Sequence, residues 1–232
     1  EALGFSERMK KMFHMKEKFA EIPEKEVLTE ILQSDMENIR GTMESLDKDA
    51  FSMAAELIQN AKKIYIVGIR SCEPLADFLG FYLNMLFDEV HVVRTNSASE
   101  IFEQLMRIGA GDVLIGISFP KYSMRTVKAM ELANSRSAGV ISITDSIHSP
   151  LNLYSSCNLI ARSEMASVVD SLTAPLSVIN ALIVALCLKN QDSLKQSIET
   201  LDQLYDDYQI YGRDEMDPSG GEIEIFHQGS RV

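Results

Sequence analysis

Asp112–Thr126 reads DVLIGISFPKYSMRT. Val113 to Ile117 are apolar, mostly β-branched and broken by one glycine, and the run stops abruptly at Ser118. A short polar loop then leads into a helical pattern that begins near Ser123. This is a strand buried on both faces, a turn and a helix start. The first turn of a helix offers backbone N–H groups with no intrahelical acceptor, and Ser118, Ser123 and Thr126 add hydroxyls around them. Such a junction can cradle an anion. Taken alone, it also fits Ser123 as a plain N-cap.

Working outward, strand and helix patterns alternate from Lys62 onward. Strands are expected at Ile64–Ile69, Val90–Val93, Val113–Ile117, Val140–Thr144 and Leu159–Ala161. Helices are expected at Glu73–Leu86, Ala98–Arg107 and Met124–Ser135, with a short one at Pro150–Ser155. Short apolar runs separated by helices predict an α/β fold: a doubly wound, five-stranded parallel sheet in a three-layer αβα arrangement. Long helices at about Val168–Leu188 and Ser193–Tyr208 close it. Upstream, Val27, Leu28, Ile31, Leu32, Met36, Ile39, Met43 and Leu46 follow helical spacing, predicting an amphipathic helix from Glu24 to Leu46, ~35 Å long at ~1.5 Å per residue. A second linking helix is expected at Asp49–Asn60. Met9, Met12, Phe13 and Met15 form a stripe that reads as packing, Ile22-Pro23 reads as a linker, and residues 212–232 are expected to be a mobile tail.

The chain has 232 residues and a net charge of −12. That acidity argues against this stretch holding nucleic acid by itself, which needs a basic surface, but leaves room for a small phosphate in a local pocket. Cys72, Cys157 and Cys187 are odd in number and widely spaced, so they read as reduced thiols of a cytoplasmic protein, with no structural metal expected. His14, His91, His148 and His227 are scattered and read as surface or structural. The longest apolar run, Val178–Leu188, is too short to span a bilayer and reads as a core helix, so no membrane is expected.

In an open parallel sheet, ligands bind beyond the carboxyl ends of the strands. Each such end here is rich in hydroxyls: Gly68–Cys72, Arg94–Glu100, Ser118–Ser123, Thr144–Ser149 and Arg162–Ser167. Hydroxyls and N–H groups with a cation or two, Arg70 and Lys121, suit a phosphate monoester. GxGxxG and GxxxxGK[ST] loops are absent, so no nucleotide cofactor is expected.

At these residues the chain resembles the sugar isomerase, or SIS, domain, a flavodoxin-like fold, and within it the RpiR (MurR) family of transcriptional regulators. Ser118-Phe119-Pro120-Lys121-Tyr122-Ser123 lies on that family's SxSGxT loop, with Pro120 and Lys121 in place of serine and glycine. Gly68 and Ser71 match its GxGSS loop, with Arg70 for the second glycine and Cys72 for the last serine. Met165-Ala166-Ser167 resembles the turn that contacts the sugar. SFPKYSMRTVKAMELA, ITDSIHSPL and DSLTAPLSVINALIVAL, in that order, carry the likeness over about Asp47–Tyr211.

The resemblance implies a phosphosugar site at Arg70, Ser71, Cys72, Ser118, Phe119, Lys121, Tyr122 and Ser123, with Ser167 and Asp170 toward the sugar hydroxyls. The resemblance and the apolar long helix both favour a homodimer or higher homo-oligomer, and binding without turnover is expected because the residues offer no clear acid–base pair. Because such regulators carry a helix-turn-helix domain whose end resembles Ala2-Leu3-Gly4-Phe5, residues 1–23 are expected to be its remnant and the linker. Residues 24–60 would be linking helices and 61–211 the SIS domain, with DNA contacted only through the missing part. The alternative is an aldose-ketose isomerase, which needs a base near the carbon acid. Glu73, Glu100, His148, Glu164 and Asp170 are candidates, and no acid-base pair stands out among them.

Overall fold

The computed structural model describes residues 23–94, 97–164 and 170–208. Five strands form one sheet: β1 (Ile64–Gly68), β2 (Val90–Val92), β3 (Val113–Ile117), β4 (Gly139–Thr144) and β5 (Cys157–Ile160), in the order β2-β1-β3-β4-β5. All the pairings are parallel. Helices α2 (Lys48–Gln59), α3 (Glu73–Leu83) and α6 (Thr173–Lys189) cover one face, while α4 (Ala98–Gln104) and α5 (Met124–Ser135) cover the other. The expected three layers are present. Two further helices, α1 (Glu24–Ser45) and α7 (Gln191–Tyr208), lie at the ends of the described chain.

The strand sequences explain the layers. Ile64, Ile66, Ile115, Ile117, Ile141 and Ile143 pack toward α2, α3 and α6, whereas Tyr65, Val67, Leu114 and Val140 pack toward α4 and α5. With both faces covered, every residue of β1 and β3 is buried and no polar alternation survives. Gly116 lets α5 seat closely, since a Cβ there would lie 2.4 Å from the Met130 sulfur. The apolar run in α6 is a core helix, with Val178, Ile179, Leu182, Ile183 and Leu186 all buried. No single helix among the described residues is long and apolar enough to cross a membrane.

β3 and α5 have the expected bounds, and other ends move by a few residues. The first strand stops at Gly68, the helix after it at Leu83, and α4 at Gln104. The segment at Pro150–Leu153 is a 3-10 turn, and the last strand begins at Cys157. The helix expected from Val168 starts only at Thr173. Ser171 is engaged elsewhere: its carbonyl accepts from the Ser163 hydroxyl at 2.7 Å, and its hydroxyl donates to Asp35 at 2.6 Å. The N-terminal methionine stripe and the expected tail lie outside the described residues.

α1 forms where the apolar spacing predicts, yet its apolar stripe does not face its own body. Its buried residues are Asn38, Gly41 and Thr42. Leu28, Leu32, Met36, Ile39 and Met43 are exposed, Met43 by 72%.

Candidate functional site

β1 and β3 end side by side, with Gly68 paired to Ile117. The chain leaving each strand therefore meets the other where the strand order reverses, the usual ligand crevice of such sheets. After Gly68, a 3-10 turn at Arg70–Cys72 runs directly into α3. Glycine is required at 68, because a Cβ there would lie 2.4 Å from the Cys72 carbonyl oxygen. Arg70 adopts φ +62°, the left-handed region that favours glycine. Arg70 and Ser71 are exposed, while Cys72 is buried. Burial pushes the Cys72 thiol pKa up, and the Phe119 backbone and Ser71 side chain hydrogen-bond to it. One buried thiol thus ties the first loop to the third.

In the third loop, Ser118 is buried and its Oγ accepts the Ser123 N–H at 2.9 Å. Ser123 in turn caps α5, its Oγ accepting the Thr126 N–H at 3.4 Å. Each hydroxyl spends a lone pair on backbone and keeps its own proton to donate. Two O–H donors therefore stand at the N-terminus of α5 beside its first-turn N–H groups, a donor set that suits an anion. Thr126 does not join them. Its hydroxyl is fully buried and has no hydrogen-bond partner among the described residues, which corrects the expectation that it adds a donor.

The other expected residues fall into distinct places. Lys121 is exposed on the same loop. The Phe119 ring packs in the core with Cys72, so these two contribute packing and backbone to the loops. The Tyr122 hydroxyl donates to Asp145 Oδ1 at 2.9 Å. Burial, with Asp145 beside it, holds that phenol well above the usual range, so it stays protonated. Asp145 lies at the end of β4, with the Thr144 hydroxyl 3.3 Å away and that hydroxyl 2.9 Å from Ser149 Oγ. Asp170 is half-buried in the run before α6, close enough for its charge to act on Cys72. It precedes the helix rather than opening it. Ser167 lies outside the described residues.

Of the candidate bases, Glu73 and Glu100 occupy first helical turns, where an acid complements the helix dipole. His148 sits in an exposed turn, its backbone N–H donating to Ser146 Oγ at 3.1 Å. Among the described residues, no group of three or more His, Cys, Asp or Glu could hold a metal ion. Sequence reasoning missed Asp145 as the anchor of Tyr122, although its TDSIHS stretch stands out as a polar strand end. It also missed Asn38 and Thr42, which lie on a helix legible only through its apolar residues.

A family model of the SIS domain matches residues 57–185. The HTH-type transcriptional regulator HexR of Escherichia coli K12 is 27% identical over 193 residues, covering 78% of this chain and 64% of HexR. The chain thus spans 64% of the length of the regulators it matches. Among solved structures, the sugar isomerase domain of an RpiR transcription factor from Sphaerobacter thermophilus superposes with a TM-score of 0.73. Identity there is 24%, covering 77% of this chain and 99% of that one. NanR of Vibrio vulnificus, complexed with ManNAc-6P, gives 0.67 at 18% identity, covering 81% of this chain and 72% of that one. Phosphoheptose isomerase GmhA from Neisseria gonorrhoeae gives 0.59 at 18%, covering 70% and 97%. With five parallel strands, hydroxyl-lined loops at the point of strand reversal and more than half its length matched by the family model, the chain belongs to the SIS domain family.

Proposed function

We propose that this chain is the effector-sensing part of a cytoplasmic transcriptional regulator, and that its effector is a phosphosugar. The kinship with HexR and the ManNAc-6P carried by NanR support this reading. The observation that carries it is the Ser118–Ser123 hydrogen bond, which sets two O–H donors at the start of α5 beside the β1 loop. In this reading Ser71, Ser118 and Ser123 take the phosphate, and Arg70 and Lys121 supply positive charge. Cys72, Phe119 and Tyr122 shape the loops, and Ser167 and Asp170 take sugar hydroxyls. Residues 24–60 link a helix-turn-helix part to the SIS domain at 61–211, and that part makes the DNA contacts. The domain binds without turnover.

Calorimetry on the chain tests this. One sugar phosphate should bind saturably while its unphosphorylated parent does not. A hydrogen bond to a charged group contributes about 1.5–3 kcal/mol, so Ser118→Ala should weaken binding by roughly tenfold or more. Unchanged affinity in that variant removes the pocket assignment. Solvent deuterium appearing on a sugar carbon would favour the isomerase reading instead, which the likeness of fold to GmhA keeps in view.

A further inference from the structure

Besides lying against α6, α1 is joined to the rest of the chain by side chains that grip one segment, the run between β5 and α6. Asn38 Nδ2 donates to the Glu164 carbonyl at 3.0 Å, and the Glu164 N–H donates to Asn38 Oδ1 at 3.1 Å. One amide side chain thus takes both backbone groups of one residue, as a neighbouring strand would. One turn on, Thr42 Oγ1 accepts the Arg162 N–H at 2.8 Å and donates to the Asn38 carbonyl at 2.7 Å. One turn back, Asp35 accepts from the Ser171 hydroxyl at 2.6 Å. Residues 35, 38 and 42 share one helix face. Gly41 lies beside them, and a Cβ there would come within 2.6 Å of the Arg162 guanidinium, so the helix sits tight against this segment. Asn38 and Thr42 are 3% and 6% exposed. Buried polar groups are costly unless their partners are in place, so this face tolerates one placement of residues 162–164 and penalises others.

Ser171, held by Asp35 and Ser163, is the neighbour of half-buried Asp170, the residue assigned above to the sugar hydroxyls. We infer that Asp35, Asn38 and Thr42 are positioning residues for the sugar-facing end of the site, and that ligand binding and the placement of α1 are thereby linked. The inference rests on the phosphosugar reading above. A ligand that favours one placement of the Asp170 segment favours α1 docked on it, and docking α1 raises affinity by the same factor.

The test is hydrogen exchange by mass spectrometry on the full chain, with and without whichever of ManNAc-6P, glucose 6-phosphate or fructose 6-phosphate binds in calorimetry. Inorganic phosphate serves as the control. In the wild type, ligand should slow exchange along α1 as well as in the β1 and β3 loops. Asn38→Ala should bind roughly fivefold or more weakly, keep protection in those loops and lose the response in α1. Ser171→Ala, at the half-buried end of the grip, gives the same comparison should Asn38→Ala fail to fold. A merely structural role for Asn38 would lower the melting temperature with affinity and the α1 response unchanged, and that result overturns the inference. So does a wild type whose α1 ignores bound ligand. If none of the sugar phosphates binds the wild type, the proposed function fails too, which separates the two failures.

Discussion

At the scale of the residue, Arg70 carries two opposing properties. Its φ of +62° places a β-carbon where glycine is at ease, at a cost of about 1 kcal/mol. Its side chain is exposed, on the β1 loop that the proposed phosphate site uses. Arg70→Gly is therefore expected to raise the urea unfolding free energy by up to about 1 kcal/mol while weakening sugar-phosphate binding in calorimetry. A variant that binds as tightly as the wild type would take Arg70 out of the site. Thr126 shows a different tension, a buried hydroxyl without a partner among the described residues, of a kind that costs about 1–3 kcal/mol. The structural places of Ser118 and Ser123 are legible because their meaning is local: a hydroxyl at a strand end and one at a helix start. The Tyr122–Asp145 bond was not, since its two ends come from different strand-end loops.

At the scale of the element, β3 and α5 are fully legible. A run of five mostly β-branched apolar residues that stops at a polar loop is the length and composition of a strand covered on both faces, and a serine before a helical pattern marks the cap. Their fit depends on Gly116. Met130 is fully buried, so moving its side chain aside would disturb its packing, and Gly116→Ala is expected to destabilise the fold by about 1–3 kcal/mol, read as a lower urea midpoint with an unchanged slope. A midpoint equal to that of the wild type would mean that α5 can retreat from the sheet without loss. The start of α6 was not legible, because Ser171 is drawn away by Asp35 and Ser163, partners remote in sequence. Nor was the setting of α1. Hydrophobic spacing tells which face is apolar, but not that the polar face does the docking.

At the scale of the whole molecule, the exposed apolar stripe of α1 stands near α6, which exposes Val184 by 57% and Leu188 by 66%. The homodimer that the family resemblance implies would have its two copies meet on this surface. Sedimentation velocity should then show a dimer, and Leu32→Glu combined with Met36→Glu should yield a folded monomer, since neither residue packs in the core. A wild type that stays monomeric at high concentration would refute the pairing. The reversed allegiance of α1 also has a thermal corollary. Its inner seam includes hydrogen bonds to residues 162–164, whereas contacts between apolar surfaces strengthen on warming from the cold. In the dimer that the resemblance implies, one helix would then carry two attachments that respond differently to temperature, and warming from the cold would favour the outer one.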